Sequence, residues 1–75
     1  MRAVVYTRVS TGEQNPKSQE HVVMEYARSR GYEVLRIFTD NVSGSVNPLE
    51  RPGFKEMLKY VEANSIEVIV MYDLT

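Results

Sequence analysis

An α/β fold in three layers, with a central parallel sheet and its strands in the order 2-1-3, is what this 75-residue sequence predicts. Apolar runs around Ala3–Tyr6, Val34–Phe38 and Val68–Tyr72 alternate with two segments of helical period. Each connection is long enough to hold a helix, which favours parallel strands joined by right-handed crossovers. The first run is the most evenly apolar of the three, so it belongs in the middle of the sheet.

The first strand is read over residues 2–9, where Ala3, Val4, Val5 and Tyr6 suit a strand buried on both faces. Asn15-Pro16 then opens a helix, asparagine serving as cap and proline as first helical residue. Val22, Val23, Tyr26 and Ala27 recur at helical spacing, and Gly31 suits the stop. The second strand covers residues 32–39, with Val34, Leu35, Ile37 and Phe38 as its buried positions. Residues 40–51 have neither period and contain Ser43-Gly44-Ser45 and Asn47-Pro48, a polar loop. Pro52 opens the second helix, whose Phe54, Met57, Leu58 and Val61 form an apolar stripe, and Asn64 can end it. The third strand is residues 66–72.

Nine basic and ten acidic residues leave a net charge of −1, so no overall field draws this chain onto nucleic acid. Any DNA contact should be local to a site. The absence of cysteine excludes disulfides, zinc fingers and thiol catalysis. With no signal peptide and no apolar stretch of membrane-spanning length, a cytoplasmic protein without membrane contact is expected. A core this small is marginal, and the chain closes on a strand followed by the start of a loop. The expectation is a piece of a larger domain.

Ligands of such sheets bind at the carboxyl ends of the strands. Arg8, Ser10, Asp40 and Asp73 all fall there. Arg8 and Ser10 stand at i and i+2 of an extended chain and so point to one side. A hydroxyl beside a guanidinium suits attack on a phosphate ester, with the arginine fork holding the charged oxygens. Arg51, at the far end of the polar loop, supplies a second candidate guanidinium. Acyl transfer has little support: the one histidine, His21, falls in the first helix as a partly exposed residue, and the Gly-x-Ser-x-Gly elbow is missing.

Two blocks then carry a resemblance. Tyr6-x-Arg8-Val9-Ser10-Thr11 followed by Gln14 and Gln19, and Phe38-Thr39-Asp40-x-x-Ser43-Gly44-Ser45 followed by Arg51-Pro52-Gly53-Phe54, resemble the catalytic domain of serine recombinases of the resolvase/invertase type. The match runs through nearly the whole chain in order. It implies that Ser10 attacks a DNA phosphodiester to give a 5′-phosphoserine link and a free 3′ hydroxyl, with strand exchange and rejoining inside a synaptic tetramer. Arg8 and Arg51 would grip the scissile phosphate, while Gln14, Gln19, Asp40 and Ser43 hold the loop and phosphate network. No metal and no other cofactor is implied. The partners implied are double-stranded DNA and further copies of the protein, as dimers and synaptic tetramers. The dimerisation helix and DNA-binding domain would lie outside these residues.

Asp40 keeps two readings, a bidentate partner of an arginine or a capping carboxylate. The family's aspartate after the third strand is matched either by Asp73 from two positions earlier or by Thr75 in its place. Rival classes are a flavodoxin-like FMN binder using Ser10-Thr11-Gly12, a receiver domain sharing Mg²⁺ between Asp40 and Asp73, and a non-catalytic assembly module.

Overall fold

The computed structural model describes the backbone of residues 1–9 and 16–73, and the side chains of these except residues 16–19 and 73. The elements follow in the order β1 (Arg2–Val9), α1 (Pro16–Ser29), β2 (Glu33–Asn41), a short 3-10 turn (Pro48–Glu50), α2 (Pro52–Asn64) and β3 (Val68–Asp73). The sheet is parallel and ordered β2-β1-β3, as the apolar runs predict. β1 is central because it can afford to be: every residue from Ala3 to Val9 is buried.

α1 touches all three strands and α2 touches β2 and β1, and among the described residues the two helices do not contact each other. They therefore cover opposite faces. On the α2 side the even-numbered residues of β1 build the core, with Val4, Tyr6, Phe38 and Met57 buried together. Phe54, Tyr60, Val61 and Ile66 pack around them. Met57 is fully enclosed, a burial that contributes about 1.5–3 kcal/mol. Tyr6 meets Phe54 edge-on at 5.2 Å, and Phe38 meets Tyr60 at 5.8 Å. Of the expected stripe on α2, Leu58 turns out to solvent.

One irregularity in β2 sets the register of the whole site. Ala3 pairs with Val34, but Val4 pairs with Arg36, so Leu35 is an extra residue. Without that bulge Arg8 would stand opposite Thr39. With it, Arg8 pairs with Asp40 on one side and with Asp73 on the other. The bulge also puts Phe38 and Asp40 on the same face as Tyr6 and Arg8.

Gly31 ends α1 as its position suggests, with φ of +76°. Tyr32 N–H donates to Ala27 and Gly31 N–H to Arg28, so two terminal carbonyls are satisfied. α2 ends on the same device but with Ser65 in the left-handed region, at φ 52° and ψ 50°. Ile66 N–H returns to Val61. Asn64 is the last helical residue and Ser65 makes the turn.

The apolar face expected for α1 divides. Val23 and Ala27 are buried, whereas Val22 and Tyr26 are about half exposed. They line an open groove with Ile69 and Met71 of β3, which are also exposed. The reason is position: α1 overhangs β3, and β3 is the edge of the described sheet. No described helix is long and apolar enough to cross a membrane.

Candidate active site

The carboxyl ends of β1 and β2 and the start of α2 deliver three charged side chains into the protein on the α2 side. Arg8, Asp40 and Arg51 are 2%, 6% and 4% exposed. Burying charge is costly unless each group is hydrogen-bonded. Their partners therefore define what each does.

Asp40 accepts three hydrogen bonds, with both carboxylate oxygens engaged. Gly53 N–H donates to Oδ1 at 2.8 Å, Phe54 N–H to Oδ2 at 3.0 Å, and the Tyr6 hydroxyl to Oδ2 at 2.8 Å. Gly53 and Phe54 are the second and third residues of α2, whose own cap residue, Arg51, makes no side-chain cap bond. Asp40 caps the helix from the neighbouring strand instead, and its charge opposes the positive end of the helix dipole. Of the two readings left open for Asp40, capping is the one formed. A carboxylate so occupied also argues against the Mg²⁺ site of a receiver domain.

The close fit explains Gly53. A β-carbon there would lie 2.8–2.9 Å from the carboxylate carbon and both oxygens of Asp40. Only a residue without a side chain lets the helix reach this cap.

Both guanidiniums are tied to one loop. Arg8 Nη1 donates to the Val42 carbonyl at 2.9 Å, and Arg51 Nε donates to the Val46 carbonyl at 3.1 Å. Between these anchors Val46 N–H closes a turn onto the Ser43 carbonyl at 3.1 Å. The loop of residues 42–46 thus connects the two cations mechanically. The Arg51 charge also acts on the Tyr6 hydroxyl that serves Asp40. Burial pushes the Tyr6 hydroxyl up from its ordinary pKa, the Arg51 guanidinium pulls it back, and Asp40 adds to the rise.

Ser43 sits on the exposed outer side of that loop. Its hydroxyl lies 2.9 Å from that of Ser45 and accepts from Ser45 N–H at 3.2 Å. Gln19 lies in α1 and Asp73 at the end of β3, opposite Arg8, as far as their backbones define them. Ser10 and Gln14 lie outside the described residues. His21 is exposed on α1, as its place in the helix suggests.

Tyr6 and Gly53 belong to this constellation and sequence reasoning gave neither a role. Each left a signal. A tyrosine in a strand buried on both faces must find a partner for its hydroxyl. A glycine in the first turn of a helix sacrifices helix propensity for a reason.

The fold has counterparts among known proteins. The family model described as Resolvase, N terminal domain, matches residues 3–75. Among solved structures, the chain is similar to the C-terminal catalytic domain of ISC1926 TnpA, an IS607-like serine recombinase. That match has 34% identity and a TM-score of 0.76, covering 92% of this chain and 49% of that one. It is also similar to the N-terminal catalytic domain of TP901-1 integrase, at 26% identity and a TM-score of 0.71, covering 92% and 52%. The chain therefore spans about half the length of the structures it matches. With a family match through its whole sheet and two catalytic domains sharing its fold, the chain belongs to the resolvase N-terminal domain family of serine recombinases.

Proposed function

We propose that this chain is the N-terminal portion of the catalytic domain of a site-specific DNA recombinase, with Ser10 as its nucleophile. The Ser10 hydroxyl attacks a backbone phosphorus, an Oγ–P bond forms, and the bond from phosphorus to the 3′ oxygen breaks. Ser10 gives up its hydroxyl proton, the departing oxygen gains one and leaves as a 3′ hydroxyl, and the 5′ end stays attached as a phosphoserine ester. Attack by a 3′ hydroxyl of the exchanged strand reverses the step and restores Ser10. The bond energy is kept in the ester, so rejoining needs no nucleotide.

In this reading Arg8 and Arg51 hold the non-bridging oxygens and offset the charge that grows on them in the transition state. Gln14, Gln19, Ser43 and Asp73 line the phosphate site. Asp40 contributes by fixing the start of α2, and with it the backbone that carries Arg51. The observation that carries the proposal is the pair of buried guanidiniums anchored to one loop at the carboxyl end of β1. Residue 10 follows that strand directly.

The partners are double-stranded DNA and further copies of the protein, dimeric in binding and tetrameric in synapsis, acting in the cytoplasm. Because the chain carries no excess positive charge, base recognition and most affinity come from other parts of the protein. The two catalytic domains it resembles sit at opposite ends of their proteins, so the DNA-binding part has no set side.

The test is a nicked suicide substrate incubated with the full-length protein and resolved on a denaturing gel. A covalent protein–DNA species is expected, and Ser10→Ala abolishes it while DNA binding persists. An adduct that survives Ser10→Ala overturns the proposal.

A further inference from the structure

The structure assigns Gly44 as a positioning residue for Arg8, through direct packing on the guanidinium face. This rests on the reading that Arg8 grips the scissile phosphate. The argument starts from what glycine is not needed for. Gly44 follows Ser43 in a turn closed by the bond from Val46 N–H to the Ser43 carbonyl. Its φ is not positive, since Gly31 is the one glycine among the described residues that is. Any L-residue could therefore adopt the backbone of Gly44.

Space supplies the reason instead. A β-carbon on Gly44 would lie 3.4 Å from Arg8 Cζ, 3.4 Å from Nη2 and 3.7 Å from Nη1. Near-equal distances to three atoms of one plane place that carbon over the face of the guanidinium, not at its edge. The Arg8 edge is held separately, by Nη1 donating to the Val42 carbonyl. One loop thus constrains the fork in both ways, in its plane through Val42 and across its plane through Gly44.

Arg8 is too enclosed to retreat from an added side chain. A methyl group just fits at van der Waals contact. A branched side chain adds carbons beyond that contact, and the expectation is that it turns the fork or breaks the bond to Val42. A two-point grip on phosphate depends on the direction of that fork. Displacements of the order of 1 Å in such groups cost about 10²-fold in rate.

The experiment compares Gly44→Ala and Gly44→Val in the full-length protein. It reads the single-turnover rate of adduct formation, DNA affinity, melting temperature and the Nε–Hε NMR signal of Arg8. Gly44→Val is expected to slow adduct formation by about 10²-fold with DNA affinity unchanged, and Gly44→Ala to stay near the parent rate. Both should move the Arg8 signal, and the valine variant more. In an Arg8→Ala background, Gly44→Val should add no further loss, because two residues acting through one group are not additive. An unmoved Arg8 signal in both variants overturns the assignment. So does a valine variant that cleaves at the parent rate, or an equal further loss in the Arg8→Ala background. If valine prevents folding, the alanine variant's Arg8 signal decides. If the parent protein forms no adduct on Ser10, the recombinase reading fails, while the NMR comparison still reports whether Gly44 holds Arg8.

Discussion

Gly53→Ala sets two physical effects against each other, and the structure decides the sign. In an exposed helix the change would stabilise, since alanine exceeds glycine by about 0.5–1 kcal/mol. Here the new methyl would enter a space already filled by the Asp40 carboxylate, 2.8–2.9 Å away. That carboxylate cannot swing aside cheaply, because three donors hold it. Overpacking of this kind costs about 1–3 kcal/mol. If Asp40 is expelled, the cap is lost for about 0.5–2 kcal/mol, and the Tyr6 hydroxyl is left short of a partner. The net expectation is a destabilisation of about 1–3 kcal/mol. For a domain of this size each kcal/mol moves the melting temperature by about 4–8 °C, so calorimetry resolves it readily. An unchanged or raised melting temperature for Gly53→Ala would refute the capping geometry.

Two further substitutions test other parts of the fold. Tyr6→Phe removes a donor from buried Asp40 and should cost about 1–3 kcal/mol at neutral pH, measured by urea unfolding. The folded pKa of Tyr6 lies above its ordinary value of 10.0, so the folded state holds this proton longer than the unfolded chain. Its stabilisation is complete below pH 10 and fades as pH rises toward the folded value, so the gap between parent and Tyr6→Phe should narrow there. A gap that widens with alkalinity would contradict the sign. Ser65→Gly relieves a left-handed residue at the end of α2 and should stabilise by about 0.5–1 kcal/mol, read as a higher urea midpoint at unchanged slope. A lower midpoint would mean that Ser65 contributes something its backbone does not explain.

The comparison with known catalytic domains bears on how the site is divided. This chain carries Arg8, Arg51 and the loop that ties them, about half the length of each structure it matches. Within that half, Asp40 ties the end of β2 to the start of α2. Arg51 precedes the helix that Asp40 secures, and the Tyr6 hydroxyl bonds Asp40 while the Arg51 charge acts on it. Loss of the cap would therefore shift the backbone that carries Arg51, with no change in the arginine itself.

The amino-acid sequence by itself determined the order of elements, the parallel sheet with β1 in the middle, and the strand ends where Arg8 and Asp40 emerge. These rest on local pattern: continuous apolar runs, helical spacing, and Gly31 at a helix end where a positive φ is needed. Other features waited on the tertiary structure. Tyr6 and Asp40 are separated by 34 positions, and Asp40 and Gly53 by 13, so no short-range pattern reports their contacts. The role of Asp40 followed only once the distance from β2 to the start of α2 was known. The bulge at Leu35, which aligns Arg8 with Asp40, is likewise a product of pairing. Helical spacing marked Val22 and Tyr26 as apolar, but whether a neighbour covers them depends on where α1 lies over the sheet. Periodicity reports which side of an element is greasy; burial depends on what the rest of the chain brings against it.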